Sequence, residues 1–162
     1  MDLKLENFLV TSRAAASPNP PKFRKPPTQW DKDCFLKQAF AEIRSYFKQS
    51  LESLGKHCDG IETEYIEIHA FKFVAKVYVH GEIKARCKFW RGGISGTDSI
   101  AFSWGNIDFS SDNNCNGWVC VEDDGVGLSL VLAAGGLSAP QDTTTHLTII
   151  QAAETLWDMF SP

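Results

Sequence analysis

The run Phe71-Lys72-Phe73-Val74-Ala75-Lys76-Val77-Tyr78-Val79-His80-Gly81-Glu82-Ile83-Lys84-Ala85-Arg86-Cys87-Lys88-Phe89-Trp90 alternates apolar and polar side chains along two arms joined at His80-Gly81. Phe71, Phe73, Ala75, Val77 and Val79 take every second place in the first arm, and Ile83, Ala85, Cys87 and Phe89 in the second. A period of two belongs to a strand with one buried face, so the run predicts an antiparallel hairpin. Both arms must turn their apolar sets the same way, which fixes the parity of the register. A three-residue turn over Val79-His80-Gly81, with Gly81 left-handed, meets that condition. It sets Val77 opposite Ile83, Ala75 opposite Ala85, Phe73 opposite Cys87 and Phe71 opposite Phe89. A two-residue turn over His80-Gly81 sets Val77 against Lys84 and is rejected on that ground.

The same register decides what the outward face carries. Lys76 falls opposite Lys84, Lys72 opposite Lys88, Val74 opposite Arg86 and Tyr78 opposite Glu82, with Trp90 at the end. Like charges directly opposed destabilise a sheet, so something anionic is expected nearby. Lys72, Lys76, Tyr78, Lys84, Arg86, Lys88 and Trp90 are therefore the candidate ligand-binding residues, with Tyr78 and Trp90 as stacking surfaces for a nucleotide base. Acids of a neighbouring strand, Glu62, Glu64 and Glu67 among them, would answer the same charge from within and are the preferred reading.

Before the hairpin, Phe35, Leu36, Ala39, Phe40, Ile43, Phe47, Leu51 and Leu54 recur at helical spacing and predict a helix from about Asp31 to Gly55, with Asp31 or Asp33 as cap. Ile66 and Ile68 flank Glu67 in a short strand. After it, Ile100, Phe102 and Trp104 alternate as a strand. Trp118–Val121 and Leu128–Leu132 read as a second hairpin closed by Glu122-Asp123-Asp124-Gly125. A last helix, roughly Thr143 to Phe160, carries Leu147, Ile149, Ile150, Ala153, Leu156, Trp157 and Phe160. Consecutive strands without crossover helices argue antiparallel pairing. The expected fold is α+β: an antiparallel sheet of five to six strands, one face covered by an N-terminal and a C-terminal amphipathic helix. Pro18, Pro20, Pro21, Pro26 and Pro27 make residues 1–28 an expected flexible tether, and residues 29–162 one domain.

Composition narrows the class. With 43% hydrophobic and 22% charged residues in 162, the chain suits one globular domain. Its opening lacks the charge and apolar length of a secretory signal, and its longest weakly polar stretch falls short of the ~20 residues that span a bilayer. The five cysteines, Cys34, Cys58, Cys87, Cys115 and Cys120, are odd in number and contain no C-x-x-C, so reduced thiols and a cytoplasmic location without membrane contact are expected. Residues 1–91 hold all 16 Lys and Arg against 11 acids, whereas residues 92–162 hold nine acids and no Lys or Arg. That polarity fits an anion-binding front half or, as the default, two halves that neutralise each other in the fold.

Motifs for chemistry are sparse. Gly93-Ile94-Ser95-Gly96 lacks the spacing of a nucleophile elbow, and Gly125-Val126-Gly127 lacks the third glycine of a dinucleotide fingerprint. Neither a phosphate-binding G-x-x-x-x-G-K-[ST] nor an H-E-x-x-H occurs. Asp112-Asn113-Asn114-Cys115-Asn116-Gly117 matches the opening of a calcium loop, making Asp112, Asn114, Asn116 and Asp123 a candidate metal set. Strands at both flanks and too few charges favour a plain turn-rich loop, so no metal and no cofactor is expected.

The stretch Phe73-Val74-Ala75-Lys76-Val77-Tyr78-Val79-His80-Gly81, continuing to Cys87-Lys88-Phe89-Trp90, and the stretch Asn113-Asn114-Cys115-Asn116-Gly117-Trp118-Val119-Cys120-Val121-Glu122-Asp123-Asp124-Gly125 together resemble accessory regions of bacterial proteins, some attached behind Toll/interleukin-receptor-type (TIR) signalling or defence domains. The resemblance spans about residues 30–135 and carries no site residues. It implies a bacterial, cytoplasmic binding or sensing module within a defence or signalling assembly. The function expected is therefore non-enzymatic recognition of a protein or small ligand. Anion or nucleic-acid binding through the basic face of the 71–91 hairpin stands second, and an enzyme of unrecognised type third.

Overall fold

The computed structural model of the chain describes residues 24–92, 98–106, 108–134 and 145–162. Helix α1 (Gln29–His57) is followed by strands β1 (Ile61–His69), β2 (Lys72–Val79), β3 (Glu82–Arg91), β4 (Ser99–Trp104), β5 (Gly117–Asp123), β6 (Leu128–Ala134) and β7 (His146–Leu147), and the chain closes with helix α2 (Ile149–Phe160). The strands form one seven-stranded antiparallel sheet in chain order. The fold is α+β, as expected. Most of residues 1–28 lies outside the described residues, but Arg24 bonds Asp123 at 2.8 Å.

Helix α1 begins at Thr28, whose hydroxyl accepts from the Asp31 amide while the Asp31 carboxylate accepts from the Thr28 amide, a reciprocal cap. Asp31, expected at the cap itself, is thus its third residue, and the helix runs through Gly55 to His57. Leu36, Ala39, Phe40, Ile43, Phe47 and Leu51 are all buried. They meet Phe73, Ala75, Val77, Cys87, Phe89, Ile100, Phe102, Val119 and Leu130 from one face of the sheet, and Ile149, Ala153, Leu156 and Phe160 from α2. Phe47 is the hub: its ring centroid lies 4.8 Å from that of Phe89, 5.3 Å from Trp157 and 5.6 Å from Phe160. Helix α2 starts at Ile149, capped by Thr148 and Gln151. Residues 143 and 144 of the expected helix lie outside the described ones, and His146-Leu147 joins the sheet as β7.

The central hairpin keeps the expected parity but not the expected register. Phe73 pairs with Phe89, Ala75 with Cys87, Val77 with Ala85 and Lys76 with Arg86. His80 (φ 51°) and Gly81 (φ 81°) make the two-residue turn that the alternation argued against. A bulge then reconciles that turn with the core: Tyr78 pairs with Ile83 and Val77 with Ala85, leaving Lys84 as the extra residue. The inserted residue shifts every later pair by one, returning the apolar sets to one face. Lys76 therefore does not oppose Lys84, nor Lys72 Lys88; Lys72 pairs with Trp90 and Val74 with Lys88.

Candidate functional site

Away from the helices, the outer face of β2 and β3 is closed by the chain between β4 and β5. Lys88 is fully buried. Its ammonium lies 2.5 Å from the Ser111 carbonyl, 3.2 Å from the Asp108 carbonyl and 3.2 Å from Asp112 Oδ1, and 4.5 Å from the centroid of the Trp90 ring. Lys72 reaches the same carboxylate, at 2.7 and 2.9 Å. Burial pushes the Asp112 carboxyl up, but the hydrogen bonds and charges of Lys72 and Lys88 outweigh it and hold the group below its ordinary value. Lys76 donates to Glu64 Oε2 at 2.6 Å, and Tyr78 donates to the same oxygen at 3.2 Å. The bond from Lys76 holds Glu64 low, and Lys76 is correspondingly raised. Phe109 lies 5.8 Å over the Lys76 ammonium.

The structure thus places five of the seven candidate residues, Lys72, Lys76, Tyr78, Lys88 and Trp90, in a closed internal network with Glu64 and Asp112. Glu64 comes from the neighbouring strand, as the sequence suggested. Asp112 comes from 40 residues further on and could not be assigned by local spacing. Among the described residues, three ion pairs (Arg24–Asp123, Lys72–Asp112 and Lys88–Asp112) join a base of the first half to an acid of the second.

This arrangement also disperses the candidate metal set. Asp112 serves the two lysines, and Asp123 holds Arg24. Asn116 accepts from the Trp104 amide at 2.7 Å and the Ser103 hydroxyl at 3.2 Å. Asn114 lines a separate polar recess with Ser103 and Asp108. Among the described residues no cluster of three or more His, Cys, Asp or Glu could hold a metal ion. The five cysteines are free thiols, and burial drives the Cys87 thiol well above its ordinary value.

Arg86 and Lys84 are placed differently. β4 stops at Trp104, opposite Cys87, whereas β3 continues back to Glu82. The overhang leaves a notch of about 390 Å³ lined by Ile83, Lys84 and Arg86 of β3, Trp104 at the end of β4, and Met159 and Phe160 of α2. Arg86 forms one wall: it donates to the Gly105 carbonyl at 2.6 Å and also bonds Asn106. Trp104 is stacked on Phe102, with centroids 4.8 Å apart, which fixes its ring at the rim. Ile83 (47% exposed) and Met159 (40%) leave apolar surface open to solvent. Lys84 is exposed, and among the described residues its side chain has no ionic or hydrogen-bonding partner. The bulge sets it there.

Sequence reading missed the apolar half of this notch. Phe160 is buried and Trp104 packs against the core, as their spacing leads one to expect, but nothing local shows that β4 is shorter than β3. It also missed a contact between Ser129 Oγ and His146 Nδ1 at 2.7 Å. Ser129 is buried on β6 and also donates to the Glu122 carbonyl at 3.4 Å, so the contact ties the two-residue β7 to the sheet.

A model of the Y4lF protein domain family matches residues 62–161, from β1 through α2, and the chain belongs to that family. The match takes in the hairpin, the covering loop and every residue of the notch. No curated protein and no solved structure matches the chain. No helix among the described residues is long and apolar enough to cross a membrane.

Proposed function

We propose that this member of the Y4lF domain family is a non-enzymatic recognition module that binds an extended, acidic-apolar segment of a partner protein in the notch between β3, β4 and α2. One observation carries the reading: an exposed Lys84, unpartnered among the described residues, stands beside open apolar surface from Ile83, Trp104 and Met159, where β3 overhangs β4. Apolar surface rimmed by a free cation suits a side chain that buries hydrocarbon while its neighbour presents a carboxylate. The overhanging strand end adds the main-chain edge that an extended peptide pairs with. The second reading, polyanion binding along the hairpin, draws less support because Lys72, Lys76 and Lys88 already hold internal carboxylates.

The test is a titration of intrinsic tryptophan fluorescence, with Trp104→Phe as the control that assigns the signal, using short peptides alternating Leu and Glu against matched peptides with Gln for Glu. Lys84→Gln should weaken the Glu peptide two- to fivefold, the size of an exposed ion pair, and leave the Gln peptide unchanged. Met159→Glu should weaken both. Equal binding of the two peptides to the wild type, or none, contradicts the proposal.

A further inference from the structure

We infer that the notch also receives a second copy of this chain, through the turn at the tip of that copy's β5–β6 hairpin. The inference rests on the acidic-apolar preference proposed for the notch and names a partner that has it. The Asp124 amide donates to the Gly127 carbonyl at 3.1 Å, closing a two-residue turn of Gly125 (φ 87°) and Val126. The Asp124 carboxylate accepts the amides of Val126 and Gly127 through Oδ1, both at 2.8 Å. The tip is therefore held in one shape before it meets anything, which lowers the entropy lost on docking. Val126 is 88% exposed, the most of any large apolar side chain among the described residues. Gly125 and Gly127 on either side of it add no bulk. Arg24 holds Asp123, whereas Glu122 and Asp124 form no ion pair among the described residues. The tip thus presents one bare apolar side chain between two unpaired acids.

Charge and position select this occupant. The notch offers the converse surface: Lys84 beside open hydrocarbon of Ile83, Trp104 and Met159. Trp30, the next most exposed apolar residue, has Lys37 5.8 Å from its ring centroid and would bring a cation toward Lys84. Within one molecule the tip and the notch cannot meet. Trp104, at the notch, ends β4, whereas Cys120 pairs with Ser99 at the start of β4, and β5 runs on from there to the tip. The two lie at opposite ends of the sheet, roughly 30 Å apart at ~3.3 Å per residue. Tip against tip would set acids together, and notch against notch would set Lys84 against its copy, so charge favours tip into notch. Such a contact is head-to-tail and builds rings or open chains, not a symmetric dimer. One turn in one notch buries less than the ~1,200 Å² at which stable complexes begin, so dilute protein is monomeric.

Sedimentation of the full chain tests the contact. The weight-average mass of the wild type should rise with protein concentration, and less so at high salt, which screens exposed charges. Val126→Lys and Lys84→Glu, both at exposed positions, should each stay monomeric alone. Mixed, they should form one-to-one dimers and nothing larger, because only the tip of the Lys84→Glu chain and the notch of the Val126→Lys chain still match. A wild type that stays monomeric, a variant that associates alone, or a mixture that does not associate would each overturn the inference. The Leu–Glu peptide separates this outcome from the reading of the notch. Val126→Lys, whose notch is intact, should bind it, and the peptide should return concentrated wild type to monomer. Peptide binding by a wild type that stays monomeric would overturn the inference and leave the notch with another partner. No peptide binding and no self-association would overturn both.

Discussion

The ammonium of Lys88, fully buried, sits 3.2 Å from Oδ1 of Asp112, which Lys72 also grips at 2.7 Å. One carboxylate from the loop before β5 therefore answers two cations on neighbouring strands and closes the outer face of the hairpin. Removing it strands a buried charge. Asp112→Ala should cost about 1.5–3 kcal/mol, the range for hydrogen bonds to charged groups, with two carbonyls still serving Lys88. Lys88→Met should cost less, since it leaves no buried cation and Asp112 keeps Lys72. Urea melts of the two variants measure the difference, and a larger loss for Lys88→Met would show that packing of the lysine stem outweighs its charge.

The same contact makes stability depend on acid. Asp112 and Glu64 both titrate lower in the folded chain than their ordinary 3.8 and 4.5. Such groups contribute fully above the unfolded value and lose that contribution as pH falls through the folded one. Between pH 5 and pH 2 the wild type should lose more stability than Asp112→Asn, so the two melting curves converge in acid. Parallel curves would place the carboxylate outside the linkage.

Phe47 joins both helices to the sheet through Phe73, Phe89, Trp157 and Phe160. Phe47→Ala should destabilise by about 3–5 kcal/mol, the cost of an aromatic cavity in a packed core. Denaturant unfolding that shows a loss under about 1 kcal/mol would mean the helices repack without it.

At the other end of α1, Thr28 and Asp31 form the reciprocal cap. Thr28→Ala should cost about 1 kcal/mol, typical of a lost N-cap. Removal of residues 1–23 should leave that cap and the Arg24–Asp123 bond in place and change the melting temperature less than Thr28→Ala does. The reverse order would show that residues 1–23 pack on the core.

Helical spacing from Leu36 to Leu51 and alternation in β2 and β3 made both layers of the core legible, because period and burial are local properties of the chain. The register was not, since a two-residue turn violates the alternation until the extra Lys84 restores it. Alternation reports parity, and a bulge changes pairing without changing parity. The site was half legible for a related reason. Composition favours contact between the acids of residues 92–162 and the bases of residues 1–91, which three of the six ion pairs among the described residues make, and Glu64 lies one strand away. Asp112 reads from the sequence as part of a loop because its partners lie 24 and 40 residues back. The notch depends on β4 ending before β3 does, a difference that neither strand encodes alone.

On the proposed function the closed face of the hairpin is structural and the notch receives the partner. Mapping backbone amide shifts in the full chain on addition of the Leu–Glu peptide tests it directly. Shifts confined to residues 83–86, 104–105 and 159–160 are the predicted result. Shifts centred on Lys72, Lys88 and the 108–112 loop would contradict it, because a ligand would then be displacing Asp112 from the two lysines.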